Sequence, residues 1–552
     1  MSAVASLCLI AQCAAQAPLV SERFDTGDGG WLAVNVNGLD VCGGAVDGSP
    51  LSPNSVEDGG HPGGYFRYFE PAITGIDPLL RAPTGFSGDL SAAFGGWFRY
   101  DRRMDRTSIC PRRNDVFLRA EIDGVPVTLF ASNQGSPTLG WRPARVPLIG
   151  AAWRFGDCNG PNATDAQLMQ ALSSVLSVSI AAEYRSGDEN QDIDNVMIIP
   201  DDGAPRSTFE TDDEGWTIFQ DAVLSWIDQP ASGSCSGSTI RIEYLQCIYA
   251  DDLALGDGFA FSAPALFLGD QSAAMGMTLE LDLVNTGTSS LLDDPGAAFI
   301  VLSNGTETLR YNHGHEFITG RRWRHHAVPL SPGPAWTRVS DGMPATPQEF
   351  ENVLSALTAV RIRGEYVNGG EVTAIDNVVF GTLSPSGFNA ADGALEAAAC
   401  PGEIVIVECV SGGGDPLTYN WQILLNDDDG PMPLTGGSYT DANTGLHLTY
   451  DDAAPGRIDL TVRALGSHVG PVHIETIVSN PWGSFTTGGI KVAVTRPDGD
   501  VNGDGAVNFA DLNTLLDRWN AGPGLGDLDG NSNVDFADLN ILLDEWGMSC
   551  AP

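Results

Sequence analysis

Short segments in which apolar and polar residues alternate dominate the chain and predict β-strands. Val116–Ile122 alternates in this way, Asp123-Gly124 supplies a turn, and residues 125–130 resume the alternation. This pattern is typical of a β-hairpin. Strand signals of the same kind recur as far as Val494, so we predict a mainly β protein.

Two short helical patterns interrupt the strands. Thr164 and Asp165 can cap the first helix, and Thr346-Pro347 starts the second, with proline where a first-turn proline is favoured. Apolar residues follow at three- and four-residue spacing, which indicates that one face of each helix packs on a sheet. These residues are Leu168, Ala171, Leu172 and Val175 in the first helix, and Phe350, Val353, Leu354 and Leu357 in the second.

Most of the chain is a tandem duplication of one domain. Residues 82–100 return as residues 263–281, sharing Ala-Pro, Phe, Gly-Asp, Ser-Ala-Ala and Gly in one register. The remaining landmarks keep nearly the same offset, so we predict tandem domains over residues 18–200 and 201–385. These landmarks are Phe24-Asp25 with Trp31 and Phe209-Glu210 with Trp216, Trp141-Arg142 and Trp323-Arg324, and the Ile-Asp-Asn-Val segments at 193–196 and 375–378.

The order of these landmarks resembles the laminin B domain (laminin IV type A) of extracellular proteins. A Phe and a Trp open the unit, Ala-Pro and Gly-Asp precede a strand, and Ile-Asp-Asn-Val comes near the end. The resemblance implies two jelly-roll-like β-sandwiches that are similar to carbohydrate-binding modules and have no catalysis. An extracellular glycan or matrix component is the ligand that this resemblance implies.

Residues 386–496 have a different pattern. Cys409 is followed by Trp421 on a strand, and residues 477–484 precede a last strand. This spacing resembles an immunoglobulin-like sandwich. The second cysteine of that family would fall near Thr476 and is absent here, so we consider a bridge between Cys400 and Cys409 instead.

Residues 497–552 contain two copies of a calcium-loop pattern followed by a helical pattern. Oxygen side chains recur at loop positions one, three, five, nine and twelve, and position seven offers a backbone carbonyl. The predicted ligands are Asp500, Asn502, Asp504, Ala506, Asn508 and Asp511 in the first loop, and Asp527, Asp529, Asn531, Asn533, Asp535 and Asp538 in the second. Calcium is therefore the predicted cofactor.

Two such loop–helix units resemble a type I dockerin. The resemblance implies a small α-helical, calcium-binding domain whose partner is a cohesin-like or cell-surface protein. Ser532 replaces the glycine that the first loop has at Gly505, and we expect this to strain the second loop. Positions ten and eleven are Phe509-Ala510 and Phe536-Ala537, where cellulosomal dockerins often have a Ser-Thr-like pair.

Charge and the N-terminus place the protein outside the cell. The net charge is −43 with one lysine, Lys491, so we expect neither nucleic acid nor membrane insertion. Residues 1–17 are apolar and end Ala-Gln-Ala, which predicts a cleaved secretory signal and a secreted or cell-surface protein. Disulfides are then expected, with Cys235–Cys247 and Cys110–Cys158 as the favoured pairs.

Two further metal sites are considered. His313, His315 and Glu316 precede His325-His326, and a hairpin would bring them together for zinc; the alternative is a polar hairpin edge with solvated histidines. Asp25 or Glu210 on a first strand would face Asp194 or Asp376 on a last strand and hold calcium; the alternative is a strand that ends in a polar turn.

The function predicted from these observations is a secreted, non-catalytic binding or adhesion protein with a calcium-dependent docking tail. No G-x-S-x-G or H-E-x-x-H motif is present. Two alternatives remain open: a polysaccharide-degrading protein, since dockerins accompany glycoside hydrolases, and a structural cell-surface spacer. Convergent carboxylates in a deep cleft would favour the enzyme, and a shallow aromatic face would favour binding.

Overall fold

The computed structural model describes most of the chain from residue 17 onwards. The described residues are 17–35, 49–51, 54–58, 60–61, 63–70, 78–105, 115–131, 141–157, 160–182, 189–219, 223–232, 239–249, 259–285, 298–312, 320–366, 371–391, 396–399, 404–424, 432–434, 436–441, 446–464, 472–487, 490–494, 497–522 and 524–549. The predicted signal and the cysteines Cys42, Cys110, Cys158, Cys235, Cys400 and Cys550 lie outside them, as do His313, His315 and Glu316.

The first duplicated unit folds as two antiparallel sheets packed face to face. One sheet has the order β10-β7-β13-β5-β4, with β1 also on β13, and the other has the order β11-β9-β8-β12-β6-β2-β3. The strands are β1 (Val20–Glu22), β2 (Leu32–Asn35), β3 (Ser49–Pro50), β4 (Asn54–Asp58), β5 (Gly64–Glu70), β6 (Pro78–Arg81), β7 (Trp97–Met104), β8 (Val116–Ile122), β9 (Val125–Ala131), β10 (Arg142–Pro147), β11 (Trp153–Phe155), β12 (Val175–Ala181) and β13 (Glu189–Ile199).

The second unit repeats this arrangement. Its sheets have the orders β16-β17-β25-β19-β22, with β14 on β25, and β15-β18-β24-β20-β21-β23. The strands are β14 (Arg206–Ser207), β15 (Thr217–Phe219), β16 (Val223–Ser232), β17 (Thr239–Tyr249), β18 (Ala260–Ser262), β19 (Thr278–Asn285), β20 (Ile300–Ser303), β21 (Thr308–Tyr311), β22 (Gly320–Pro329), β23 (Trp336–Arg338), β24 (Ala359–Arg363) and β25 (Glu371–Thr382).

Both predicted helices form where the caps indicate. The helices α1 (Asp165–Leu172) and α2 (Pro347–Leu354) begin after Thr164 and Thr346, whose side chains accept the N–H groups of Gln167 and Glu349. The reciprocal side-chain bonds complete a capping box in each copy. The predicted apolar residues within the helices are buried in the sandwich cores. The helices end sooner than the spacing predicts, because Val175 already begins β12 and Leu357 lies beyond the end of α2.

The third unit is another two-sheet arrangement, and a pair of helices follows it. Its sheets have the orders β26-β28-β33-β32-β31 and β27-β36-β34-β29-β30, with β35 on β34. The elements are β26 (Ser386–Ala391), β27 (Glu396–Ala399), β28 (Ile404–Gly412), β29 (Thr418–Leu424), β30 (Met432–Pro433), β31 (Ser438–Thr440), β32 (His447–Ala454), β33 (Arg457–Ala464), β34 (Val472–Asn480), β35 (Gly483–Thr486), β36 (Ile490–Val494), α3 (Phe509–Asp517) and α4 (Phe536–Asp544).

Cys409 is a buried free thiol in β28, so its predicted bridge to Cys400 is wrong. The position of the family's second cysteine is Thr476, which lies opposite Trp421 in the strand register. Thr476 Oγ1 donates to Asn389 Oδ1 at 2.9 Å, and Asn389 Nδ2 donates to Thr487 Oγ1 at 2.9 Å. A fully buried polar network therefore stands where a disulfide would join the sheets, and it is stable only because its groups bond to one another.

The outer faces of equivalent sheets in the two duplicated units pack against each other through buried charges. Arg145 of β10 donates to Glu280 Oε2 of β19 at 2.8 Å and lies 3.5 Å from Asp282. Arg99 lies 3.7 Å from Glu280, and these two residues occupy equivalent positions of β7 and β19. Burial alone would raise the pKa of Glu280, but Arg145, His325 and Arg99 outweigh it and hold that pKa well below its ordinary value.

Apolar side chains from all three β units surround these charges. Trp97, Met197 and Ile199 of the first unit meet Val379 and Leu383 of the second and Trp482 of the third. A cavity of ≈ 20 Å³, large enough for about one water molecule, lies between this cluster and the two arginines. The three units therefore share a closed, desolvated junction.

His325 and His326 do not form the solvated hairpin edge that was considered as the alternative to a zinc site. His325 is buried between Glu280, at 3.3 Å, and Asp282, at 3.0 Å, and so belongs to the junction. The ring of His326 packs on Phe299 at 5.2 Å, and burial lowers the pKa of His326 to about 3. Neighbouring residues of a strand point to opposite faces, so these two imidazoles are directed apart.

We expect Arg145→Met to destabilise the protein strongly. The change leaves Glu280 and Asp282 buried without their main counter-ion, which costs about 3–5 kcal/mol in comparable buried pairs. Arg310→Met, on an exposed position of β21, is the matched control and should change stability by less than about 0.5 kcal/mol. Urea unfolding measures both; equal small effects would show that the junction charges contribute little.

Candidate metal centre

The two C-terminal loops lead into α3 and α4 and are held together by backbone bonds. Val507 N donates to Met548 O and Gly547 N to Val507 O, both near 3 Å. In the other half of the domain, Asn520 N donates to Val534 O and Val534 N to Ala521 O. A small core packs between the helices from Val501, Val507, Leu515, Val534 and Leu542. Each loop is thus hydrogen-bonded to the segment that follows the other loop's helix.

The first loop brings three carboxylates together. One oxygen from each of Asp500, Asp504 and Asp511 lies within 4.8 Å of the others. Asp500 accepts the N–H groups of Gly503, Asp504 and Gly505 at 2.8–3.1 Å. Asp511 accepts Asn502 N at 3.0 Å and Asn508 N at 2.8 Å. The loop backbone therefore orients the carboxylates at positions one and twelve.

The remaining predicted residues of the first loop lie around these carboxylates. Asn502 Oδ1 accepts Asp504 N at 2.8 Å, and Asp504 Oδ1 accepts Ala506 N at 3.0 Å. Asn508 caps α3 through Ala510 N, while its amide donates to the Ala506 carbonyl at 3.2 Å. Hydrogen bonds between residues close in sequence therefore link loop positions three, five, seven and nine.

The second loop repeats the arrangement with Asp527, Asp529 and Asp538, whose oxygens also lie within 4.8 Å of one another. Asp538 accepts Leu528 N at 2.5 Å, Asp529 N at 3.1 Å and Asp535 N at 2.8 Å. The other predicted residues follow the first loop: Asp529 accepts Asn531 N, Asn531 accepts Asn533 N, and Asp535 caps α4 through Ala537 N.

The loops differ at positions one and six. Asp527 accepts one N–H group, from Ser532 at 3.0 Å, and its buried Oδ1 has no hydrogen-bond partner in the described part of the chain. Ser532 adopts φ 74°, in the left-handed region where the first loop has Gly505 at φ 90°. A side chain is strained in that region, as the sequence predicts, so the second loop is less well prepared for a ligand.

Burial and N–H donors act in opposite directions on these carboxyl groups. Burial raises the pKa of Asp500, with a smaller raising effect from Asp511 and a lowering effect from the Gly505 N–H. At Asp538 burial also opposes ionisation, but the N–H groups of Asp535, Asp529 and Leu528 outweigh it and lower the pKa. The charged form is thus disfavoured at Asp500 and favoured at Asp538.

The donor set fits a hard divalent cation. All predicted ligands offer oxygen, three carboxylates converge in each loop, and Asp527 Oδ1 is a buried acceptor without a donor among the described residues. Calcium prefers six to eight such oxygens, and its charge would offset the repulsion among the carboxylates. Asp500, Asp504 and Asp511 in the first loop, and Asp527, Asp529 and Asp538 in the second, are the carboxylates that would hold it.

Sequence reasoning missed the partners of the Asp-Asn pair in each duplicated unit. Asp194 and Asn195 do not end a strand in a polar turn; they lie inside β13, fully buried, beside Asp101 of β7 and His61. In the second unit Asp376 and Asn377 lie beside Asp282. The shared Asp at equivalent positions of β7 and β19 was the available signal.

Comparison with known proteins finds one family and weak structural likenesses. A family model for laminin B (Domain IV) matches residues 79–199 and 260–396. No curated protein matches the chain. The L4b domain of human laminin alpha-2 is similar, with 15% identity over 23% of this chain and 71% of that domain, and a TM-score of 0.21. A beta-1,2-glucanase from Parabacteroides distasonis shares 10% identity over 52% of this chain and 37% of its own, with a TM-score of 0.19.

The family match confirms two laminin B-like regions, and both TM-scores are too low to inform function. The first matched region ends with β13, as the duplication predicts. The second continues to residue 396, through β26, which the sequence assigned to the third unit. The family model does not extend to the C-terminal loops.

We expect Ser532→Gly to tighten calcium binding at the second loop about fivefold, because it removes about 1 kcal/mol of left-handed strain. The reciprocal change Gly505→Ser should weaken the first loop by a similar factor. Calorimetric calcium titration resolves the two sites. If Ser532→Gly leaves both affinities unchanged, backbone strain does not explain the difference between the loops.

Proposed function

Because the chain carries two laminin B-like regions, we propose that it is an extracellular, non-catalytic adhesion or matrix-type protein that docks to a partner through a calcium-dependent tail. Laminin B domains are extracellular modules, and the charge of −43 fits a soluble surface that repels nucleic acid and anionic membrane. No helix in the described residues is long and apolar enough to cross a membrane.

The observation that carries the proposal is the paired acidic loops at residues 500–511 and 527–538. Each loop collects three carboxylates within 4.8 Å beside a core of a few apolar side chains. A core this small contributes little stability, whereas the binding free energy of a structural metal becomes folding free energy. Calcium would therefore control whether this tail is folded.

The tail also presents two related apolar side chains to solvent. Phe509 is 72% exposed and Phe536 is 70% exposed, each at the first residue of its helix. Phe509 makes an edge contact with Trp546 at 5.0 Å, and Phe536 makes the same contact with Trp519. Large exposed aromatic residues favour protein contacts, and these stand at the loop positions where dockerins contact cohesins.

The partner we propose is a cohesin-like or cell-surface protein with an apolar recognition surface. The serine and threonine hydroxyls common in cellulosomal dockerins are replaced here by phenylalanine and alanine. A phenylalanine offers buried area rather than hydrogen bonds, so the partner would present a complementary apolar pocket. Either helix could present this contact, because Phe509 and Phe536 have matching surroundings.

Burial of the acidic groups in the duplicated units supports binding over catalysis. Asp101 and Asp194 are 0% exposed, and Glu280 lies inside the junction with Arg145 and Arg99. A polysaccharide cannot reach carboxylates in such positions, whereas glycosidases present theirs to an open cleft. Glycan or matrix components would instead contact surfaces away from the junction.

The strand order of the third unit supports its role as an immunoglobulin-like spacer. β26, β28, β33 and β32 lie adjacent in one sheet, and β36, β34 and β29 in the other. This is the neighbour order of an immunoglobulin-type sandwich. Trp482, together with the bond from Asn480 Nδ2 to Leu383 O at 2.8 Å, would attach this unit to the junction.

We expect the full-length protein to bind members of a cohesin panel with calcium and to release them in EDTA. The double variant Phe509→Ser/Phe536→Ser should lose at least about tenfold in affinity, since two exposed aromatic anchors are removed. Leu266→Ser, at a 59% exposed site in the second unit, is the matched control and should bind normally. Surface plasmon resonance measures all three.

Calcium-independent binding, or full binding by the double variant, would contradict the proposed docking surface. Release of reducing sugar from polysaccharides by the purified chain would instead favour the degradative alternative. A chain that binds neither cohesins nor glycans and releases no sugar would leave the spacer role.

A further inference from the structure

We propose that the first laminin B-like unit binds a calcium ion at a site of its own, between the turn at Phe24–Asp25 and β13 at Asp194. This site lies in the sandwich, far along the sequence from the C-terminal loops, and it does not rest on the docking function of the tail. Its role would be to fasten the start of the unit to its last strand.

Oxygen atoms of the turn and of Asp194 approach the backbone closely at three glycines. A Cβ at Gly60 would lie 2.1 Å from Gly64 O and 2.7 Å from Asp194 Oδ2, and a Cβ at Gly64 would lie 2.3 Å from Phe24 O. A Cβ at Gly63 would lie 1.9 Å from Asp25 Oδ1. Any side chain at these positions would displace an oxygen, so the glycines preserve a cradle of carboxylate and carbonyl groups.

The donors that reach this cradle are too few for its acceptors. Asp194 accepts His61 N at 2.6 Å and Asn195 N at 2.7 Å, and Asp25 Oδ1 accepts Gly64 N at 3.2 Å. Behind them, Asp101 Oδ2 receives both His61 Nδ1 and Asn195 Nδ2. Asp101 Oδ1 and Asn195 Oδ1, on fully buried side chains, have no hydrogen-bond partner among the described residues.

Unpaired buried acceptors cost free energy unless a cation, a proton or a water satisfies them. Burial first, and then the neighbouring carboxylates of Asp101 and Asp25, raise the pKa of Asp194 to about 9. A calcium ion would satisfy these acceptors with the hard positive charge that carboxylates and carbonyls prefer.

The same backbone conformations recur in the duplicate. Phe24 and Phe209 have φ 57° and 54°, and Asn195 and Asn377 have φ 48° and 49°, values that residues other than glycine rarely adopt. Glu210, Asp282 and Asp376 stand where the first unit has Asp25, Asp101 and Asp194. In the second unit, however, Arg145 and His325 reach Asp282, so a protein cation supplies part of the charge there.

The test uses the full-length chain with the tail loops disabled by Asp500→Ala and Asp527→Ala, so that calcium effects report on the sandwiches. Saturating calcium at about a hundred times Kd should raise Tm by roughly 5–10 °C relative to EDTA. Asp194→Asn in this background should abolish the shift, since it removes the buried carboxylate charge that the ion would bind. Equilibrium dialysis should show one fewer bound calcium.

Two further variants separate the loss of calcium binding from a loss of folding. Asp25→Asn alters an exposed residue, so it should fold normally and still lose the calcium shift. Asp105→Asn, on an exposed carboxylate that accepts Asn190 Nδ2 of β13 at 2.7 Å, should retain the shift. If the parent shows no calcium shift, no ion binds in the cradle and the proposal is wrong. A shift that survives both Asp194→Asn and Asp25→Asn would also overturn it.

Discussion

The buried pairing of Arg145 with Glu280 and Asp282 is the constraint on which the arrangement of the β units depends. An arginine taken out of water must meet carboxylates in a fixed geometry, because unpaired buried charges are strongly unfavourable. The pairing fixes how the two laminin B-like units face each other. It also closes the sheet faces that a ligand would otherwise use, and it brings Trp97 and Trp482 into one apolar cluster.

Local features of the fold were predictable from the sequence. The caps at Thr164 and Thr346 are decided by residues three positions away, and both helices begin where those caps indicate. The duplication could be recognised because the same sequence motifs recur in one register. The junction was not predictable, since Arg145 and Glu280 are distant in sequence and occupy positions where the copies differ. His325 was misjudged for the same reason: its burial comes from the other copy.

The candidate metal residues also include some that were predictable from the sequence and some that were not. Six of the twelve predicted ligands in the tail, three in each loop–helix unit, have carboxylate oxygens that lie close together, because each unit is a short segment that folds through local turns. The carboxylates of the first sandwich are different. Asp25 lies in the N-terminal turn, Asp101 in β7 and Asp194 in β13. The sequence suggested that Asp25 faces Asp194, whereas the contacts of Asp101 with His61 and β13 appear only when the strands are assembled.

We propose that calcium controls the folding of the tail, and circular dichroism of an isolated 498–552 fragment tests this most directly. In EDTA, repulsion among the loop carboxylates should leave α3 and α4 largely unfolded, because their shared core is small. Adding calcium should produce a saturable gain of helix, while magnesium at the same concentration should produce less. A fragment that is equally helical in EDTA and in calcium would contradict the claim.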